Sequence, residues 1–402
     1  MGFEEKNGAV IRPRGAVLVY IVVAQFFCTS LWFAGNAVLN GLTDDFNLPP
    51  SALGHLTSAV QLGFIGGTLS FALLTIADRY SPSRVFFICA TMGALANAAI
   101  PFGDQHLASL SALRFVTGFC LAGIYPVGMK IAADYFEKGL GKALGFLVGA
   151  LVLGTAFPHF IRYTSSGLPW KVVFLATSSL AVLGGIIILL LVPDGPHRNR
   201  AQKLQWNALF TVFRDESFRQ AAFGYFGHMW ELYAFWAFVP VMLMAHQQAN
   251  QYALSISATA FAVIGIGSLA CVAGGLWSLS VGPKKVASRA LAASGTCCLI
   301  SPILLAQSTP LALILFLLFW GIVVIADSPM FSTLVAQNAP QQSRATALTI
   351  VNCIGFAITI VSIETLNHLV LRWDWRWVYL SLAPGPLLGL WALVHRPGIR
   401  TS

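Results

Sequence analysis

Apolar stretches of about twenty residues follow one another along almost the whole chain, and their length matches the roughly 30 Å of hydrocarbon that a helix must cross in a bilayer. Backbone N–H and C=O groups in hydrocarbon have to be paired within the protein, which leaves only helices and closed barrels as spanning structures. The short alternating strands of a barrel do not occur. Spans are expected at residues 16–40, 52–74, 84–102, 107–133, 140–162, 171–192, 220–246, 254–278, 286–306, 310–335, 344–368 and 376–394. Composition agrees, since 57% of the 402 residues are hydrophobic and 10% charged, against about a quarter charged in soluble domains. The first run outlasts a signal-peptide core and ends in no small-residue cleavage site, so it reads as a retained span. The expected fold class is an all-α polytopic membrane protein of twelve helices.

The net charge of +9 would suit nucleic acid if the basic residues were clustered on one surface, but they lie in alternate loops. With twelve spans both termini share one side, and nineteen of the 24 Lys and Arg fall there. The other side holds Arg162, Lys171, Arg372 and Arg376, and Arg114 lies within a span. By the positive-inside rule the basic side is the cytoplasm, in an inner (plasma) membrane, and nucleic-acid binding is excluded. All seven cysteines lie in apolar runs, where they behave as small hydrophobes, and no C-x-x-C pair suggests a metal.

The break at 193–219, with Pro193, Asp194, Gly195 and Pro196 and a mixed-charge stretch holding Trp206 and Phe210, reads as a linker with a short surface helix. It divides a six-helix half at 16–192 from another at 220–394, with tails at 1–15 and 395–402. The halves look like a repeat: Gly118 and Pro126 of span 4 recur as Gly321 and Pro329 of span 10 at an offset of 203, and Pro82 recurs as Pro283 at 201.

These features resemble the major facilitator superfamily. The loop after span 2 in that family reads G-x-L-a-D-r-x-G-r-x, and Leu74 to Arg84 keeps the Asp78-Arg79 centre and the later Arg84 while losing both glycines. Span 4 carries Leu110, Arg114, Gly118 and Ala122 at the family's four-residue intervals. The resemblance implies a central cavity between the halves, a gating loop at Asp78, Arg79 and Arg84, and a part for Arg114 in proton coupling. The Gly-Pro of the antiporter signature is absent, since Ala150 follows Gly149. GHMWELYAFWAFVP in span 7 and ADSP in span 10 are similar to the cyanate and nitrate porter-like branch.

An ionisable group at the bilayer centre costs about 2.5–3.5 kcal/mol on insertion scales, so each one needs a partner or a wet cavity. Glu231, near the middle of span 7, is the first candidate for a proton or substrate site, with His228 on nearly the same face and Tyr225 one turn back. The alternative is a structural acid that has His228 as its partner. Arg114, on a stripe with Gly118, Leu121 and Tyr125, is either a counter-ion for a carboxylate or anionic solute or a packing residue bonded to backbone carbonyls. Asp327, before Ser328 and Pro329, is either part of a gate or local repair of the proline kink. Glu364, near the end of span 11, reads as structural.

Span 1 places Gln25, Thr29, Trp32 and Asn36 in one polar-aromatic stripe that should face a cavity. Trp230, Tyr233 and Trp236 add aromatic surface in span 7, and Asn352 in span 11 is a further polar contact. The expectation is a secondary carrier that moves a small organic or anionic solute by alternating access with proton-coupled uptake, working as a monomer in the lipid bilayer without cofactor or metal. Proton-driven efflux of drugs or metabolites is the rival. No phosphate loop or hydrolase motif supports an ATPase or a membrane enzyme, and no signalling domain supports a sensor.

Overall fold

A computed structural model describes residues 4–6, 9–11, 14–136, 140–198, 212–307 and 309–395. A two-stranded ribbon, Glu4–Lys6 against Ala9–Ile11, precedes the helices. The expected surface helix around Trp206 and Phe210 lies outside the described residues, as does most of the expected tail at 395–402.

Each of the twelve expected spans is helical. Span 1 is Arg14–Thr29 and, after an opened turn, Leu39–Phe46; span 2 is Ala52–Leu73 and span 3 Pro82–Ala99. Span 4 is Leu107–Ala122 continued by Tyr125–Tyr135, span 5 is Leu140–Thr164 and span 6 Lys171–Leu191. In the second half span 7 is Glu216–Asn250, span 8 Ile256–Gly265 with Gly267–Val281, and span 9 Pro283–Leu305. Span 10 is Pro310–Val323 with Ser328–Asn338, span 11 Arg344–Val370, and span 12 a 3-10 turn, Val378–Leu382, leading into Pro384–Val394. Among the described residues eight helices are long and apolar enough on those grounds alone to cross a bilayer, and Gly15–Thr29 and Val378–Val394 are apolar but shorter.

The broken spans follow from local chemistry. Proline lacks an N–H and its ring clashes with the preceding turn, so spans 4 and 10 restart with Pro126 and Pro329 as the second residue of their new helices. The repeat extends to the packing. A side chain at Gly118 would collide with the carbonyl oxygen of Val60, and one at Gly321 with that of Val263, two pairs that are each 203 residues apart. Spans 2 and 4, and likewise 8 and 10, therefore cross with backbone nearly on backbone, the use that membrane helices make of small residues.

Within the first half, span 1 packs on spans 5 and 6, span 2 on span 4, and span 3 on spans 4 and 6. In the second, span 7 packs on spans 11 and 12, and span 9 on spans 10 and 12. The halves meet chiefly where span 2 lies on span 11 and span 5 on span 8. Exchanging the two halves exchanges these contacts, as a two-fold repeat requires. Gly118→Leu and Gly321→Leu should each lower the thermal unfolding midpoint in detergent, by the equivalent of about 1–3 kcal/mol for an overpacked site. An unchanged midpoint on substitution by alanine, whose Cβ alone makes the collision, would contradict the close crossing at either position.

Candidate functional site

The centre is organised by the opened turn of span 1 between Thr29 and Asn36. Unwinding a helix in hydrocarbon frees carbonyls that need donors. Arg114 supplies them: its guanidinium donates to Leu31 O at 3.0 Å, to Trp32 O, and to Asn97 Oδ1 at 3.2 Å. Asn97 in turn donates to Phe174 O, Thr177 Oγ1 and Ser178 Oγ of span 6. No carboxylate pairs with Arg114 among the described residues. Of the two readings open for this arginine, the contacts are those of the backbone clamp.

Held open in this way, span 1 presents Trp32 and Phe33 to the second half. Ring centroids of Trp32 lie 5.0 Å from Phe64, 5.7 Å from Tyr233 and 5.8 Å from Phe356, and Phe33 lies 6.4 Å from both Tyr233 and Trp236. Phe64 and Phe356 meet at 4.4 Å across the contact of spans 2 and 11. Six rings from both halves thus form one buried layer.

A polar group lies on the side of this layer toward the basic end. Tyr225 donates to Asn352 Oδ1 at 2.9 Å. His228 Nδ1 stands 2.9 Å from Asp327 Oδ1, with both side chains 1% exposed. Asp327 occupies the N-cap position of Ser328–Asn338, yet its carboxylate makes no cap hydrogen bond, so it does not repair the break in span 10. Tyr125 of the first half packs, partly buried, against the same core. Several buried polar atoms at the layer and this group make no hydrogen bond: Trp32 Nε1, Trp236 Nε1, both amide atoms of Gln61, Nε2 of His228 and both carboxylate oxygens of Asp327. Such atoms are rare in folded proteins, and their concentration marks a place built to meet water or a solute.

The structure parts several residues that the sequence placed together. Glu231 does not bond His228. Its Oε1 accepts from Trp320 Nε1 at 2.6 Å and from Cys298 Sγ at 3.3 Å, which holds it among spans 7, 9 and 10 of the second half. Trp230 donates to Ser381 O of span 12 and turns away from the layer. The stripe of span 1 is interrupted by the opened turn. Asn36 donates to Thr57 of span 2, Thr29 bonds Gln25 O within its own helix, and the Gln25 amide lies over Gly128 of span 4. Trp32, Tyr125, Tyr233, His228, Asp327 and Asn352 are brought together. Phe33, Phe64 and Phe356 join them, and nothing in an apolar sequence distinguishes such rings from ordinary packing.

The two ends differ. At the end opposite the basic loops, Ser58 donates to Glu364 Oε1 at 2.7 Å, His55 Nδ1 lies 3.3 Å from the same oxygen, and Asn367 donates to Ser51 O at 3.0 Å. These bonds tie span 2 to span 11 and close that end. At the basic end Lys130 pairs with Asp78 at 3.1 Å and Asp134 at 3.3 Å, all within the first half. Arg198 donates to the carbonyls of Asp78 and Tyr80. Arg79 and Arg84 make no ion pair among the described residues.

The family model described as Major Facilitator Superfamily matches residues 21–363. Over 214 residues the chain is 25% identical to the putative metabolite transport protein YyaJ of Bacillus subtilis, a match that covers 52% of this chain and 46% of that protein. It is also 25% identical to the 4-hydroxybenzoate transporter PcaK of Pseudomonas aeruginosa, over 40% of this chain and 37% of that one. The chain spans about half or less of the length of these relatives. Among solved structures, the nucleoside transporter NupG superposes with a TM-score of 0.70 at 15% identity, covering 94% of this chain and 98% of that one. The human organic anion transporter MFSD10 gives 0.72 at 14%, covering 95% and 100%.

The Arg114→Met substitution should leave two buried carbonyls without donors, a loss of about 2–6 kcal/mol at about 1–3 for each unsatisfied group. Thermal unfolding in detergent reads it as a lowered midpoint, and an unchanged midpoint would contradict the clamp.

Proposed function

The chain belongs to the major facilitator superfamily, and from that premise we propose that it is a secondary carrier that takes up a small organic solute across a bacterial inner membrane, by alternating access and with protons. The distribution of basic residues supports placing both termini, and so the basic end, in the cytoplasm. The arrangement then has the outer end closed by Ser58, His55 and Asn367 with their partners, and the solute site at the aromatic layer near mid-depth.

The observation that carries the reading is the buried His228–Asp327 pair, set at the break of span 10 and beside the layer where the halves meet. An acid at this depth persists because it is paired. A proton on Asp327 removes the need for the pair, and loosens the tie between span 7 and the broken part of span 10. Glu231 has the burial for a proton site, but its Oε1 is held by Trp320 and Cys298, whereas the Asp327 carboxylate completes no hydrogen bond. Its part is structural in this scheme, and Arg114 acts by shaping span 1.

The test is uptake into proteoliposomes of a panel containing a nucleoside, 4-hydroxybenzoate and its uncharged amide, with and without an inward proton gradient. For any solute that moves, the gradient should raise uptake by the wild type and by Glu231→Gln. Asp327→Asn should lose that response while still exchanging labelled for unlabelled solute. Gradient-driven uptake that survives in Asp327→Asn and disappears in Glu231→Gln would reverse the assignment.

A further inference from the structure

We infer that the solute is an uncharged, planar aromatic molecule that carries hydrogen-bonding substituents; the inference rests on the carrier reading above and narrows it to a chemical class.

The first ground is charge. An ion taken from water into a site of low dielectric needs a counter-ion there. The cation nearest the layer, Arg114, has its guanidinium committed to Leu31 O, Trp32 O and Asn97. The acid at the layer, Asp327, faces His228 at 2.9 Å, although neither of its oxygens completes a hydrogen bond. The other acid at this depth, Glu231, is enclosed by Trp320 and Cys298. Lys130 is held at the basic end by Asp78 and Asp134. A carboxylate solute would find no cation at the layer that is not already bonded to protein groups among the described residues, and an ammonium solute would have to share Asp327 with His228.

The second ground is the rings. Trp32, Phe33 and Phe64 of the first half touch Tyr233, Trp236 and Phe356 of the second. Moving the halves apart breaks these ring contacts, and an aromatic solute between them replaces each with an equivalent one. An aliphatic solute does not.

The third ground is the set of unpartnered polar atoms. Trp32 Nε1 and Trp236 Nε1 are donors, Gln61 offers both a donor and an acceptor, and the second ring nitrogen of His228 offers one or the other. Trp32, Gln61, Trp236 and His228 are each no more than 1% exposed. Gln61 lies three residues before Phe64, on the same face of span 2. These atoms suit amide, hydroxyl or ring-nitrogen groups at the edge of a flat molecule.

Three probes share one ring and differ in charge: 4-hydroxybenzamide, 4-hydroxybenzoate and 4-hydroxybenzylamine. Binding to detergent-purified protein is read by quenching of tryptophan fluorescence and by the shift in unfolding midpoint at pH 7, with cyclohexanecarboxamide as the aliphatic control. The amide should bind at least roughly tenfold more tightly than either charged probe or the control. Phe356→Leu should weaken it roughly 3- to 10-fold, the range of one aromatic contact. Phe356→Tyr, which keeps the ring, should restore it. Tighter binding of the benzoate, the amine or the aliphatic amide, or no binding of the hydroxybenzamide, would overturn the inference. The uptake panel, with cyclohexanecarboxamide added, separates the two levels: movement of the benzoate or of the aliphatic amide alone would leave the carrier reading standing and the uncharged aromatic class refuted, whereas no movement of any solute would count against both.

Discussion

The guanidinium of Arg114 on the carbonyls of Leu31 and Trp32 is the interaction on which the centre of this molecule depends. A helix that opens inside hydrocarbon exposes acceptors at a cost of several kcal/mol each unless a donor reaches them. By meeting that cost from span 4, Arg114 allows span 1 to unwind where Trp32 and Phe33 can reach the opposite half. The same bonds engage the arginine's donors. A residue that in isolation suggests anion recognition is therefore turned toward the backbone of span 1, and the groups that meet between the halves are aromatic.

The remainder follows from the repeat. Span 2 rests on span 11 and span 5 on span 8, contacts that the two-fold relation interchanges, so the halves are joined along two seams and can rock about the layer between them. Hydrogen bonds at one end of the first seam, from Ser58 to Glu364 and from Asn367 to Ser51, hold that end shut. The broken part of span 10 lies beside the layer, tied to span 7 through Asp327 and His228. In the proposed scheme, protonation of Asp327 and solute binding at the layer act on neighbouring pieces of one interface.

Much of the fold was legible before any coordinates. Spans long enough to cross a bilayer can be read directly, and Pro126 and Pro329 announce the breaks in spans 4 and 10 because proline's effect is local. The break in span 1 carries no such mark, since its cause lies on another helix. Periodicity put His228 and Glu231 on nearly one face. That was sound as geometry, for both reach span 10, but three residues of separation, about 4.5 Å along a helix, give them different partners, Asp327 and Trp320. Glu231 drew attention by its depth. Which half-internal pocket or interface an acid faces is decided by tertiary packing, and no spacing rule contains it. The aromatic layer was half visible, in Trp32, Tyr233 and Trp236. Phe64 and Phe356 became part of it only when spans 2 and 11 were brought together.

The central claim is that the two halves rock about this layer, so the ends of one seam must open in opposition. Spin labels on cysteines introduced at Pro50 and His368 report the closed end, and labels at Leu74 and Arg344 report the basic end of the same two spans. Distance distributions between each pair, recorded by pulsed electron resonance in lipid nanodiscs from pH 5 to pH 8, test it directly. The account predicts two populations in each pair that change in opposite senses, the longer distance at one end accompanying the shorter at the other. Distances that stay single and fixed at both ends, or that lengthen together, would contradict it.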